Sequence, residues 1–375
     1  MPRTAGSPFR LAAAVSVAAL GVATLTRSAR TTIGPRALAD VRRSLGAGGG
    51  VHDSDHFAEG TFHNTEPMRV VESGGRRSIA MEFATKGRIG KPAGEIPLVR
   101  PDWPTRAAAC AATWLGHSTV LLEVGGRYVL TDPVWSERVS PSATVGPRRH
   151  HPVPAPLEAL PRLDAVLISH DHYDHLDTAT IDHLTRTQTM PFVVPLGVGS
   201  HLRAWGVPAD RIVELDWNES VDLAGLRLTC AEARHFSGRL FTANTTLWAA
   251  WLVEAAGRSA FFGGDSGYTP AFGDLGRRHG PIDLTVLPVG AYDDRWPDVH
   301  MTPAEAVRTH LDLRGGVLVP IHWATFDLAF HTWSAPAEWV RAEAAEHGVR
   351  LAQPKPGERF SADEDLPRQE WWTGL

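Results

Sequence analysis

The chain has 375 residues, 43% of them hydrophobic, enough to bury one large core or two ordinary ones. Its 37 basic and 42 acidic residues leave a net charge of -5, which argues against a general nucleic-acid binder with a basic face. The two cysteines, Cys110 and Cys230, make neither a disulfide framework nor a cysteine zinc site, so any metal must be held by His and Asp.

At the N-terminus, Arg3 and Arg10 precede an uncharged run from Leu11 to Leu25, and Arg27 and Arg30 follow it. That is the layout of an export signal or of an uncleaved anchor; the run is short for a membrane span, and arginines on both sides leave its topology open. Residues 1–30 are therefore expected to be a signal or membrane-anchor segment, and 31–100, with Gly46 to Gly50 in the middle, a linker and surface arm. Phe57, Phe62 and Phe83 can pin that arm to a core. A globular domain is expected over 101–360, followed by a C-terminal tail at 361–375.

Thr113 to Pro133 reads as two strands around a Gly125-Gly126 turn, and it stops at Asp132-Pro133. His117 and Asp132 fall at strand ends, where sites are built and where turns are capped. Residues 141–161 are Pro- and Arg-rich loop, and Pro147-Arg148-Arg149-His150-His151 within them reads as a solvated stretch. Ala165 to Ile168 is a short apolar strand, and five metal-ligand types follow it in one turn: His170, Asp171, His172, Asp174 and His175. An ordinary turn uses Gly, Asn, Pro or Ser, whereas imidazole and carboxylate are the usual ligands of zinc and similar ions. His170 and His172 are at i and i+2 of an extended segment and can grip one ion; Asp174 and His175 can reach a second.

Asp177 is expected to cap a helix running to about Arg186. Strands are expected at Pro191–Leu196, at Arg227–Arg234 leading into His235, and at Thr246–Glu254 paired with Ser259–Phe262, which ends at Asp265. Another is expected at Leu284–Gly290. Thr302, Pro303 and Glu305 form a capping box opening a helix to about Leu313. Val317 to Ile321 delivers His322-Trp323, and a last helix runs from about Ala335 to His347 and stops at Gly348. Strand after strand thus ends on a candidate ligand: His170, His235, Asp265, His322. Trp323, Phe326 and Trp333 can shape an apolar wall nearby, while Trp248 and Trp251 read as ordinary core.

The order His170-x-His172-x-Asp174-His175, then His235, Asp265 and His322, resembles the metallo-β-lactamase superfamily. Trp114-Leu-Gly-His-Ser118, Ser169 to Asp177, Arg234-His-Phe-Ser-Gly-Arg239, Gly264-Asp-Ser-Gly-Tyr268, Leu287 to Tyr292 and Ile321 to Phe326 narrow the likeness to its N-acyl-phosphatidylethanolamine phospholipase D branch. The similarity covers about Phe57 to Phe360. It implies an α/β fold of the αββα sandwich type. It also implies two zinc ions, one on His170, His172 and His235, one on Asp174, His175 and His322, with Asp265 bridging. In this reading Asp174 and Asp265 are catalytic, and Tyr173 and His300 contact the substrate head group. The activity implied is hydrolysis of an N-acyl-phosphatidylethanolamine-like phospholipid to an N-acylethanolamine and phosphatidic acid, at a membrane surface and with no nucleic-acid partner; a homodimer is compatible with it. An ester, lactone or nucleic-acid phosphodiester hydrolase on the same scaffold is the alternative. A diiron electron-transfer module is disfavoured, because such relatives put Glu where His172 stands.

Overall fold

The computed structural model describes residues 54–69, 81–83, 85–239 and 242–375. The apolar run at 11–25 and the glycines at 46–50 lie outside the described residues, so the expected signal or anchor segment does too. Among the described residues, no helix is long and apolar enough to cross a membrane.

Among the described residues the first elements are a small hairpin, β1 (Phe57–Ala58) and β2 (Thr61–Phe62), followed by β3 (Cys110–Gly116), β4 (Thr119–Val124), β5 (Arg127–Thr131) and β6 (Ala165–Leu167). After these come helix α1 (Thr178–Thr187), β7 (Phe192–Pro195), α2 (Val198–Ala204), β8 (Ile212–Leu215), β9 (Ser220–Leu223) and β10 (Leu226–Ala231). The remainder is β11 (Ala250–Ala255), β12 (Arg258–Phe262), α3 (Ala271–His279), β13 (Ile282–Pro288), α4 (Pro303–Asp312), β14 (Gly315–Ile321), α5 (Ala335–Glu346) and β15 (Arg359–Ser361). Seven strands form one sheet in the order β15-β3-β4-β5-β6-β7-β8, and six form a second in the order β14-β13-β12-β11-β10-β9. Each sheet is part antiparallel and part parallel.

Period-two alternation sorts the side chains into layers. In β4, Val120, Leu122 and Val124 face the second sheet, where they share a core with Phe261, Phe262 and Val253. Leu121 points the other way and packs with Val166, Phe192 and Val194 against Ile181 and Leu184 of α1 and Val198 and Leu202 of α2. Phe272, Val307 and Val340 bring α3, α4 and α5 into the first core from the far side of the second sheet. The result is the expected αββα sandwich, with Trp248 and Trp251 fully buried in its middle. Local signals act as read: Asp177 accepts from Ala179 N at the start of α1, and Thr302 and Glu305 close both arms of the capping box on α4.

Four expectations need correction. The stretch Pro147–His151 is not solvated throughout, since Arg149 and His151 are buried, Arg149 Nε donating to Ser136 O (3.0 Å) and His151 Nε2 lying 3.2 Å from Thr325 Oγ1. Thr246 to Ala249 is not strand, because its backbone bonds across to the first sheet: Leu247 N donates to Leu196 O (2.8 Å) and Ala249 N to Ser169 O (2.9 Å). The second sheet therefore gains only β11 there. The arm at 54–69 belongs to the body, since Phe62 is fully buried and its N donates to Asn244 O (2.7 Å). Phe83 packs on Phe330 at 4.3 Å, so all three phenylalanines pin as expected, Phe57 lying edge-on to Phe62 at 4.9 Å. Residues 361–375 do not trail away either. Ser361 ends β15, Ala362 N donates to Cys110 O (3.0 Å), and the Trp371 ring stacks on Trp323 at 5.1 Å. A short run without periodicity gave no hint that its two tryptophans close the core under the strand carrying His322.

Trp371→Ala should therefore lower unfolding free energy by about 3–5 kcal/mol, as for other large aromatics removed from a core. Chemical denaturation of the metal-loaded protein measures it; a loss below ~1 kcal/mol would return this segment to the status of a tail.

Candidate metal centre

Both sheets deliver their chemistry at one edge. The segment after β6 carries His170, Asp171, His172, Tyr173, Asp174 and His175, and the segments after β10, β12 and β14 carry His235, Asp265 and His322. Two glycines allow close approach at this edge, Gly264 between the sheets and Gly290 between the segments after neighbouring strands β13 and β14 of the second sheet. At Gly264 (φ +56°) a Cβ would fall 2.5 Å from Ser169 Cβ, and at Gly290 it would fall 2.0 Å from His322 O. The same edge holds non-glycine residues in the left-handed region, namely His117 (φ 51°), Asp132 (35°), His322 (63°) and Ala324 (56°). Backbone strain of this kind persists only where surrounding contacts over-determine it.

The donor atoms fall into two adjoining sets. His170, His172 and His235 form one; His117, Asp174, His175 and His322 form the other, and within each set the ligating atoms lie within 4.8 Å of one another. Asp265 stands between them. Its Oδ2 is 3.1 Å from His175 Nε2, 3.2 Å from His322 Nε2, and 3.8 Å from both His235 Nε2 and His300 Nδ1. Asp174 Oδ2 is 2.9 Å from His117 Nε2, 3.5 Å from His175 Nε2 and 3.7 Å from His322 Nε2. His170 Nε2 and His172 Nδ1 are 2.7 Å apart.

The far sides of three rings are fixed, which decides where their near sides point. His235 Nδ1 donates to Val299 O (3.0 Å), His175 Nδ1 to Asp132 Oδ2 (2.7 Å), and His170 Nδ1 lies 2.8 Å from Ser169 Oγ. A carbonyl only accepts, so His235 carries its proton on Nδ1 and aims a bare Nε2 at the cluster. The buried Nε2 atoms of His172, His175, His235 and His322, with Asp265 Oδ1, have no hydrogen-bond partner in protein. Buried lone pairs converging without donors are what a cation requires, so the residues fit a metal.

Charge within the cluster is strongly redistributed. Burial pushes the His170 and His235 rings well below the ordinary histidine value, and neighbouring imidazoles push the same way. Burial holds His300 down at about 3, and burial with His322 does the same to His117. Burial would lower His175 as well, but the carboxylates of Asp265, Asp174 and Asp132 outweigh it and raise that ring well above its usual value. His322 rises to about 9, against its burial, through Asp265 and Asp174. Burial opposes ionisation of Asp174 and Asp265, yet the histidines around them hold both well below the carboxylate range.

Residues 127–323, more than half of the chain, match the family described as Beta-lactamase superfamily domain. The chain belongs to the metallo-β-lactamase superfamily. It is a metal-dependent hydrolase of that fold. An uncharacterized protein of Mycobacterium tuberculosis is 50% identical over 325 residues, covering 85% of this hydrolase and 87% of its own length. The N-acyl-phosphatidylethanolamine-hydrolyzing phospholipase D 1 of Caenorhabditis elegans is 39% identical over 229 residues, 58% of this chain and 64% of the worm protein. Among solved structures, Igni18, a metallo hydrolase of the archaeon Ignicoccus hospitalis, superposes with a TM-score of 0.54 at 20% identity, covering 68% of this chain and 99% of that one; the likeness is one of fold.

The structure gathers all seven expected ligands of the hydrolase in one cluster and adds residues the sequence did not flag. Asn64, from the arm, brackets His235: its Nδ2 donates to His235 O (2.7 Å) and its Oδ1 accepts from His235 N (3.1 Å). Arg239 Nη1 donates to the carbonyls of Asp171 and Leu176, both at 2.8 Å, while Asp171 Oδ1 accepts from Gly238 N (2.7 Å). These reciprocal bonds clamp the histidine-rich turn to the loop after His235. An isolated Asn offers no sequence signal, and Arg239 stood inside a quoted motif without a role; Asp171, one of the five ligand types expected in the turn, falls in neither donor set and instead bonds Gly238 N and His201 Nε2. Tyr173 is half-buried, its ring 3.9 Å from the Arg239 guanidinium, and His300 is buried beside Asp265 within the donor cluster.

The pKa shifts give a sign. His175 and His322 bind protons more tightly folded than unfolded, so their stabilisation is full below pH ~6.5 and is lost as pH rises through the folded value, about 9 for His322. The neutral rings held low, His117, His170, His235 and His300, act only below pH ~6.5. The metal-free protein should therefore melt at progressively lower temperature from pH ~6.5 to 9, losing up to ~1.4 kcal/mol per pH unit for each group. Metal affinity should rise over the same window, because ligands must shed those protons. Calorimetry in chelator and in added zinc tests both trends; a metal-free melting temperature that climbs with pH would contradict the charge assignment.

Proposed function

We propose that this hydrolase is a zinc-dependent phosphodiesterase that cleaves N-acyl-phosphatidylethanolamine-like phospholipids to an N-acylethanolamine and phosphatidic acid. One observation carries the reading: two adjoining donor sets made only of His and Asp share Asp265. The C. elegans relative, a phospholipase D named for hydrolysing that lipid, supports the choice of substrate. His170, His172 and His235 would hold one zinc, Asp174, His175 and His322 the other, with Asp265 reaching both. Nitrogen and carboxylate oxygen suit zinc, although other transition metals accept the same donors.

When bound, the ions supply Lewis acidity toward phosphoryl oxygens and bring the pKa of water toward neutrality. The protein's own residues do the rest. Asp174, held ionised and only partly covered, orients the attacking water and takes its proton. As water adds to phosphorus, the bond to the ethanolamine oxygen breaks and that oxygen receives the proton. Asp265 keeps its charge between the two donor sets. His300, neutral and with a buried Nδ1 free of hydrogen bonds to protein, can turn its N–H to a phosphate oxygen. Tyr173 shapes the open rim. The uncharged run Leu11–Leu25 supports work at a membrane surface.

Purified protein should contain two transition-metal ions per chain and hydrolyse N-acyl-phosphatidylethanolamine in mixed micelles faster than lactones, carboxyl esters or oligonucleotides. Active protein with a single ion would end the dinuclear reading, and a preference for lactones or oligonucleotides would end the lipid one.

His300→Ala should slow phosphodiester hydrolysis roughly ten- to a hundredfold, the worth of one hydrogen bond to a charged oxygen made in the transition state. Both ions should stay in place. Zinc analysis on the same sample decides its role, since loss of an ion would make His300 a ligand.

A further inference from the structure

His117 stands among the four donors of the second set, yet the zinc ligands and the reaction proposed above leave it without a task, and it is one of the most constrained side chains at the centre. It sits in the β3–β4 turn, buried, with its backbone in the left-handed region (φ 51°). Three hydrogen bonds hold it there. Its N donates to Thr325 Oγ1 (2.7 Å), and its O accepts from Trp114 Nε1 (2.8 Å) and from His322 N (3.0 Å). The ring lies 4.0 Å from that of His322 and edge-on to Phe326 at 5.1 Å. A left-handed turn by itself asks for Gly or Asn, and an imidazole there is the strained choice. The ring must therefore serve something, and its Nε2 is 2.9 Å from Asp174 Oδ2.

We infer that His117 is a positioning residue for the second donor set: its Nε2–H donates to Asp174 Oδ2 and fixes that oxygen against the Nε2 atoms of His175 and His322. The carboxylate can only accept, so His117 carries the proton on Nε2. Because the His117 carbonyl also receives His322 N, one residue of the first sheet sets the placement of two ligands, one from each sheet. Without it Asp174 can turn toward solvent, since that side chain is the more exposed of the two central carboxylates.

The inference rests on the two-ion reading, and its test separates the two. In the full-length protein, His117→Gly and His117→Asn both relax the backbone, so the fold should persist with an unchanged melting temperature. Zinc titration of the chelator-stripped wild type should show two sites. In His117→Gly the first should keep its affinity and the second should weaken ten- to a hundredfold, the usual effect of removing a group that orients a ligand. Cobalt at saturating concentration should give the same coordination number in variant and wild type. Unchanged affinity at both sites, equal weakening of both, or a cobalt spectrum showing one nitrogen ligand lost would overturn the inference. A wild type binding fewer than two ions would instead overturn the reading on which it rests.

Discussion

Asp265 carries its charge where solvent barely reaches, surrounded by imidazole nitrogens from both sheets. A buried carboxylate left unpaired costs several kcal/mol, and Asp174 adds a second one a few ångströms away. Compensation must be cationic, and only two sources are at hand: imidazolium at His175 and His322, or metal ions in the two donor sets. Either way, the sheets are tied at this edge by electrostatics as well as by the apolar core. That constraint accounts for left-handed backbone at His117, Asp132 and His322, and for Gly264, where a side chain would strike Ser169 of the facing segment. Strain and close approach are the means by which ligands from opposite sheets meet.

Orientation is a separate requirement, met outside the cluster. Asp132 takes His175 Nδ1 while also accepting from Ser169 N and Ser169 Oγ, and Ser169 Oγ in turn touches His170 Nδ1. A single buried carboxylate at the end of β5 thus sets the rings of two ligands on the next strand. Asp171 ties the same turn to the loop after β10 through Gly238 N and to α2 through His201 Nε2 at 3.2 Å. Because outer groups select the protonated nitrogen, the lone pairs facing inward are determined before any ion arrives.

The sequence displayed the inner layer of this design and concealed the outer one. His170, His172, His175, His235, Asp265 and His322 were legible because each follows a short apolar strand, and ligand residue types there have no ordinary structural use. The sandwich was legible through the family resemblance that these motifs carry, and the run of short strands and capped helices is consistent with it. Asn64 was hidden because its partner, His235, is 171 positions away and nothing local distinguishes it from a surface residue. Trp371 was hidden for the same reason: a lone aromatic pair has no period, and its place is set by Trp323 and Trp114 after folding. Thr246 to Ala249 misled because its composition suits a strand while its hydrogen bonds go to Leu196 and Ser169 of the first sheet. Local pattern reports which residues can form an element; pairing across the fold decides which do.

The cluster is also lopsided in its burial, and this bears on what it can do. His170, His175, His235 and Asp265 are sealed, whereas His172, Tyr173 and Asp174 are partly open. The centre is therefore open on the side of the histidine-rich turn, where the Arg239 guanidinium lies against the Tyr173 ring and the backbone is clamped. A structural metal site closes its ion on all sides, while a catalytic one keeps a face free. Here Asp174 lies at the open face, and Asp265, shared between donor sets, at the closed one. The two acids thus sit in different environments, one partly open and one sealed, although both are aspartates held ionised by the same histidines.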